Sequence, residues 1–223
     1  MIEKLFKYRP IYVSFVDEID ETSESIGGFY CKNIGESIKK NKKIIVDGKK
    51  QKCSGGNYFL GNIDVPLKDI LDVYVNKEKV FKCSDVTDCF LKTVKKNPLK
   101  KRYIVLDPRI SEEAKIVIGI VNAFQASKIL GLAAYDEKFG VDIVPAISTC
   151  SCLFRPLIEK NKIHVNFIDY FDRYYRAKGV FDDNEFIISM DIKIFHYLND
   201  NYNNSPHGGL ILNNSNDILG LFC

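Results

Sequence analysis

The chain contains no tryptophan and only three histidines, and no apolar run approaches the roughly 18 to 20 residues that a membrane helix needs. These absences exclude a membrane span and a histidine-rich metal site. Charge of one sign is lacking as well. The 32 basic residues stand against 29 acidic ones, a formal +3, which is too balanced for a dedicated nucleic-acid binder. No apolar signal segment follows Met1, since Glu3 and Lys4 come at once, so the expected compartment is a reducing cytoplasm. The nucleophile elbow, the Walker loop, the dinucleotide fingerprint and the His-Glu-x-x-His motif are all missing, which removes the commonest hydrolase and kinase readings. There is no repeat at a period of about 20 to 50 residues and no low-complexity linker.

What is present is an ordinary globular mixture of 46% apolar and 27% charged residues over 223 positions, enough to bury a core without staples. Charge is uneven only locally. Eight lysines fall between Lys32 and Lys52, six basic residues between Lys92 and Arg102, and five acids between Asp17 and Glu24. Such lysine runs read as solvated faces, because Lys is strongly hydrated and few aromatic or Arg residues are interleaved.

Periodicity and turn chemistry lay out the elements. Ile11 to Val16 is β-branched and aromatic and predicts a strand. Asn33 to Lys40 predicts a short amphipathic helix ended by Asn41, Lys43 to Asp47 a strand, and Asp47-Gly48 a turn. A helix opened by Pro66 carries Leu67, Ile70, Leu71 and Tyr74. Asn76 to Lys82 reads as a strand, and Ser84 or Asp85 caps a helix reaching about Lys96. Tyr103 to Leu106 reads as a buried strand, and Ser111 caps a long helix through Ile116, Ile120, Val121, Phe124 and Ile129. Asp142 to Ile147 and Ile163 to Ile168 read as strands. Asp182 with Glu185 caps a final helix carrying Ile187, Met190, Ile194 and Leu198, and Gly208 to Ile211 reads as a last edge strand. The expected fold is mixed α/β or α+β, a single compact domain that can divide into two intimately packed halves near residues 97–102.

Chemistry is expected at the cysteines. In Cys53-Ser54-Gly55-Gly56-Asn57 two glycines let the backbone approach a ligand and aim N–H groups at an anion or sulfide, which makes these five residues the candidate cofactor loop. Cys150 and Cys152 share one face only if their segment is extended. Together with Cys31 and Cys53 they supply four thiolates for an iron-sulfur cluster or another metal ion, although the tight spacings usual for clusters are absent. Cys83 and Cys89 read as core packing and Cys223 as an exposed terminal thiol. His164 and His196 read as structural, and His207 lies in a loop. Asp172-Arg173-Tyr174-Tyr175-Arg176 with Arg155 reads as a surface salt-bridge patch or as an anion-holding loop.

Phe29-Tyr30-Cys31 before a short helix, Cys53-Ser54-Gly55-Gly56-Asn57-Tyr58-Phe59-Leu60-Gly61, the long helix expected after Asp107-Pro108, and Cys150 after a strand resemble an archaeal and bacterial family called domain of unknown function 169. The likeness covers most of the chain. Family members commonly carry Cys-Pro-Gly where this chain has Cys53-Ser54-Gly55, and a glycine- and arginine-rich segment where it has Tyr175 to Gly179. The resemblance implies a cytoplasmic protein of an archaeal or anaerobic prokaryote and assigns no reaction. Three readings stand at this point. The leading one is an iron-sulfur or metal redox or electron-transfer protein that serves a redox partner protein. The runner-up is a non-redox binder of an anionic small molecule, with buried cysteines. The third is a thiol enzyme with one reactive cysteine. Homo-oligomerisation is the default for a chain of this size.

Overall fold

The computed structural model describes residues 1–135, 138–144 and 149–208. A 3₁₀ turn over Ile2–Leu5 precedes β1 (Ile11–Val16), β2 (Ser25–Gly28), α1 (Tyr30–Lys40), β3 (Ile44–Gln51), α2 (Ser54–Leu60), α3 (Leu67–Asp72), α4 (Ser84–Thr93) and β4 (Tyr103–Asp107). There follow β5 (Ile116–Val121), α5 (Ala123–Ala134), β6 (Gly140–Val144), a 3₁₀ turn over Thr149–Leu153, α6 (Arg155–Ile158), β7 (Lys162–Phe167), β8 (Phe186–Asp191) and α7 (Ile192–Asp200). Two π-helical turns, Val73–Lys77 and Asp172–Arg176, interrupt the regular elements.

One eight-stranded mixed sheet, in the order β2-β3-β4-β1-β5-β8-β7-β6, runs through the molecule, giving the α/β fold. Its pairing is symmetric about the central antiparallel pair β1/β5. The outermost pairs β2/β3 and β6/β7 are parallel, and all the others are antiparallel. Strands β1 to β4 therefore map onto β5 to β8 by a pseudo-two-fold axis normal to the sheet. This relation joins two halves in a single sheet rather than separating two domains. The change of half falls between β4 and β5, and residues 97–102 lie ahead of β4 within the first half.

Both faces of the sheet are covered. Alternation in β5 sends Ile116, Ile118 and Ile120 to one face, with Ile11, Val13, Ile104 and Leu106, beneath α1 and the cysteine-bearing turns. Val117 and Val121 go to the other face, with Tyr12, Ile188 and Met190, beneath α5 and α7.

Several expectations change. The long helix predicted through Ile116 is a strand followed by a helix. All six residues of β5 are buried, and such a run cannot be told from a buried helix by periodicity. The helix starts where Asn122 and Gln125 form a capping box, Gln125 N–H to Asn122 Oδ1 at 2.9 Å and Asn122 N–H to Gln125 Oε1 at 3.0 Å. It continues past Gly131. The predicted final helix likewise splits into β8 and α7, capped by Asp191, whose Oδ1 accepts from Lys193 N–H at 2.8 Å. Asp182 and Glu185 close a turn before β8 instead. Asp47-Gly48 lies inside β3, with Gly48 N–H bonded to Arg102 O at 3.0 Å, so no turn forms there. The stretch from Asn76 to Lys82 holds part of a π turn and no strand. Residues 145–147 of the predicted strand, and 209–211 of the predicted edge strand with Cys223, lie outside the described residues.

Candidate thiol site

Three segments distant in sequence meet on the larger core face. Strand β3 ends at Gln51, Lys52 N–H bonds to Gly28 O at 2.7 Å, and Cys53 becomes the N-cap of α2, its Sγ accepting from Gly56 N–H at 3.2 Å. Cys31 sits in the first turn of α1, inside the β2–β3 crossover. Cys150 sits in the 3₁₀ turn within the β6–β7 crossover. The two crossovers are pseudo-symmetric, so Cys31 and Cys150 arrive from equivalent places in the two halves.

The Cys53 and Cys150 side chains lie within hydrogen-bonding reach of each other. The Cys150 thiol, helped by Arg176 and the Gly56 amide against burial and Asp172, holds the Cys53 thiol below its ordinary value. Cys31 behaves in the opposite way. Burial pushes it well up, and the Asp172 carboxylate within hydrogen-bonding reach favours the protonated thiol. Asp172 is the hub of the site. It is 2% exposed and also accepts from Thr149 N–H at 2.9 Å and Arg176 Nη1 at 2.6 Å. Burial alone would lower the Arg176 guanidinium, but Asp172 and Glu78 outweigh it and keep the charge fixed.

A pocket of about 330 Å³ opens over Cys53, walled by Phe29, Val73 and Tyr74 and edged by Lys52, Lys77 and Arg176. The glycine pair is explained by aromatic packing. A Cβ at Gly55 would overlap the Tyr74 hydroxyl, and one at Gly56 would come within 2.6 Å of the Tyr30 ring and 3.0 Å of Cys53 Sγ. Tyr30 Oη donates to Asn57 Oδ1 at 2.6 Å beneath. Of the predicted cofactor loop, Cys53, Ser54 and Gly55 therefore face the pocket, while Gly56 and Asn57 are committed to packing.

Of the four predicted thiolate ligands, Cys150 and Cys31 lie near Cys53, but the three sulfurs do not all fall within 4.8 Å of one another, and Cys152 is placed apart by its turn. A 3₁₀ turn points residues two apart in different directions, and Cys152 is 0% exposed, its thiol pushed up first by burial. The pair needed an extended segment to chelate together, and the segment is helical. Cys89 is exposed and Cys83 half-buried on the flank of α4, so neither is core. Arg155 and Arg176 do not share an anion site, since Arg155 pairs with Asp142 at 2.9 Å on the opposite sheet edge. His164 is core as expected, and His207 packs against Gly131. Sequence reasoning missed Tyr74 and Glu78. Tyr74 sits at helical spacing and reads as core, and the partner of Glu78 lies almost a hundred positions away.

Among the described residues, the set of three or more metal-type ligand atoms lying within 4.8 Å of one another is Asp142, Glu159 and His164. Arg155 and Lys162 already neutralise its carboxylates, with Lys162 Nζ 2.9 Å from Glu159, and buried His164 is held below its usual value, so the set needs no cation.

Fold and site together define an α/β protein whose two sheet halves bring buried Cys31 and Cys150 near Cys53, which lines a pocket. The family model of domain of unknown function 169, described as an uncharacterised ArCR, matches residues 4–201, and the chain belongs to that family. No curated protein and no solved structure matches it. No helix among the described residues is long and apolar enough to cross a membrane.

Proposed function

We propose that the protein is a thiol-based redox protein in which Cys53 is the attacking thiolate and Cys150 the partner that closes a disulfide with it. The observation that carries this reading is the approach of the buried Cys150 thiol to Cys53, which lines an open pocket and is held toward its ionised form. A thiolate is the nucleophile in disulfide exchange, and a neighbouring thiol makes the step reversible within one molecule. The oxidant is a small disulfide or the disulfide of a redox partner protein, in a reducing compartment such as the cytoplasm.

The nearness of Cys31 to Cys53 favours a second reading, in which the three thiolates draw together to hold an iron-sulfur cluster or another metal ion and leave one position open to a ligand. The Cys53–Cys150 contact must then open to admit the metal.

Treating the reduced, metal-free protein with oxidised glutathione tests the first reading. The expected product has lost two thiols and gives a peptide joining residues 53 and 150, while Cys150→Ser stops at a glutathione adduct on Cys53. An unmodified Cys53 would contradict it. Brown anaerobic protein whose iron and sulfide vanish in Cys53→Ser would support the cluster instead.

A further inference from the structure

Among the polar groups at the site that the cysteine chemistry above leaves unused is the Tyr74 hydroxyl. Tyr74 is 3% exposed, lines the Cys53 pocket, and lays its hydroxyl over Gly55 at the first turn of α2. Its Oη borders the pocket, whereas the hydroxyl of Tyr30, which packs on Gly56, is taken up by Asn57.

The backbone that carries Tyr74 is itself unusual. Tyr74 rides on the π turn Val73–Lys77, and Glu78, which follows it directly, is clamped by Arg176 from the other π turn, Asp172–Arg176. Single π turns are rare and are found frequently at functional sites. Here the two are bolted together by an ion pair and flank the same thiol. Gly55 completes the arrangement, because any side chain there would displace the hydroxyl.

We propose, building on the thiol redox reading, that Tyr74 is a catalytic hydrogen-bond donor that stabilises the thiolate leaving from the substrate disulfide bound over Cys53. The Cys53 thiolate attacks one sulfur of R–S–S–R, a Cys53–S–R bond forms, and the departing RS⁻ carries away the electron pair of the broken S–S bond. Tyr74 O–H donates to that sulfur, which then takes a proton from water. Cys150 gives up its proton and attacks the Cys53 sulfur, expelling the second RS⁻. The substrate is reduced to two thiols and the cysteine pair is oxidised to one disulfide. The substrate class is thus a small disulfide with basic leaving thiols, for which stabilisation of the leaving group matters most.

The test compares wild type and Tyr74→Phe, which keeps the ring, with three probes of Cys53 in reduced, metal-free protein. The probes are iodoacetamide, 5,5′-dithiobis(2-nitrobenzoate), whose leaving thiolate is stable unaided, and 2-hydroxyethyl disulfide, whose leaving thiolate is basic. Loss of one donor to a developing anion predicts a roughly ten- to hundredfold slower reaction with 2-hydroxyethyl disulfide alone, the other two changing by less than about twofold. Gly55→Ala, which moves the hydroxyl, is expected to show the same selective loss. Equal slowing with all three probes, or no slowing, overturns the role of Tyr74 and leaves the redox reading standing. A wild-type Cys53 inert to both disulfides overturns the two together.

Discussion

Cys31 and Cys53 are identical side chains in one neighbourhood, yet their surroundings drive them apart. Cys53 meets a thiol, an amide and a guanidinium that favour its charge, and Cys31 meets hydrocarbon and the carboxylate of Asp172. Separating the titrations of like groups is how a protein assigns one as nucleophile and another as reserve. Asp169 extends the same logic. Burial first, and then neighbouring Asp172, raise its carboxyl to about 6, although Phe171 N–H donates to it at 2.8 Å. Because the folded state holds this proton where the unfolded chain has released it, its contribution to stability falls as pH rises from about 4 to 6 and is constant above. Asp169→Asn keeps the acceptor for Phe171 and removes the titration. Urea unfolding is expected to show a variant matching wild type near pH 4 and more stable by about 2 kcal/mol at pH 7. Equal wild-type and variant slopes across that window would contradict it.

At the scale of elements, what could be read in the sequence depended on whether a local signal was unique. Strands β1, β4 and β7 and helix α1 announce themselves by composition, by period and, for α1, by Asn41 in the left-handed conformation at its end, φ 48°. The runs 116–121 and 186–191 do not, because strands buried on both faces lose their alternation and imitate apolar helices. The Asn122–Gln125 capping box was the overlooked signal that separates β5 from α5. Asn122→Ala removes one of its two reciprocal bonds and is expected to cost about 1 kcal/mol in chemical denaturation without altering Cys53 reactivity. An unchanged midpoint would mean that the box does not set the helix start. Cys53, with its glycine pair, was legible as a site. The reason for the glycines was not, since it lies in Tyr30 and Tyr74, which reach α2 only after folding. The π turns have no sequence signature that separates them from ordinary helix, so Tyr74 and Glu78 stayed hidden.

For the whole molecule, the pseudo-two-fold arrangement of the sheet gives the cysteines their meeting place. Each half supplies a crossover connection on the same face, and where the crossovers approach each other the thiols of Cys31 and Cys150 come near Cys53, which lines a pocket. The repeat is too long and too diverged for a short-period search, so the sequence revealed the thiols but not the symmetry that joins them. The central claim is that this assembly lowers the Cys53 thiol with Cys150 beside it, and the pH profile of iodoacetamide alkylation, read at each cysteine by peptide mass spectrometry, tests it most directly. Cys53 is expected to react with a midpoint clearly below the free-thiol value of about 8.5, losing reactivity only as pH falls through that midpoint, and Cys150→Ala is expected to move the midpoint upward. A Cys53 midpoint at or above the free-thiol value, unmoved by Cys150→Ala, would contradict the account.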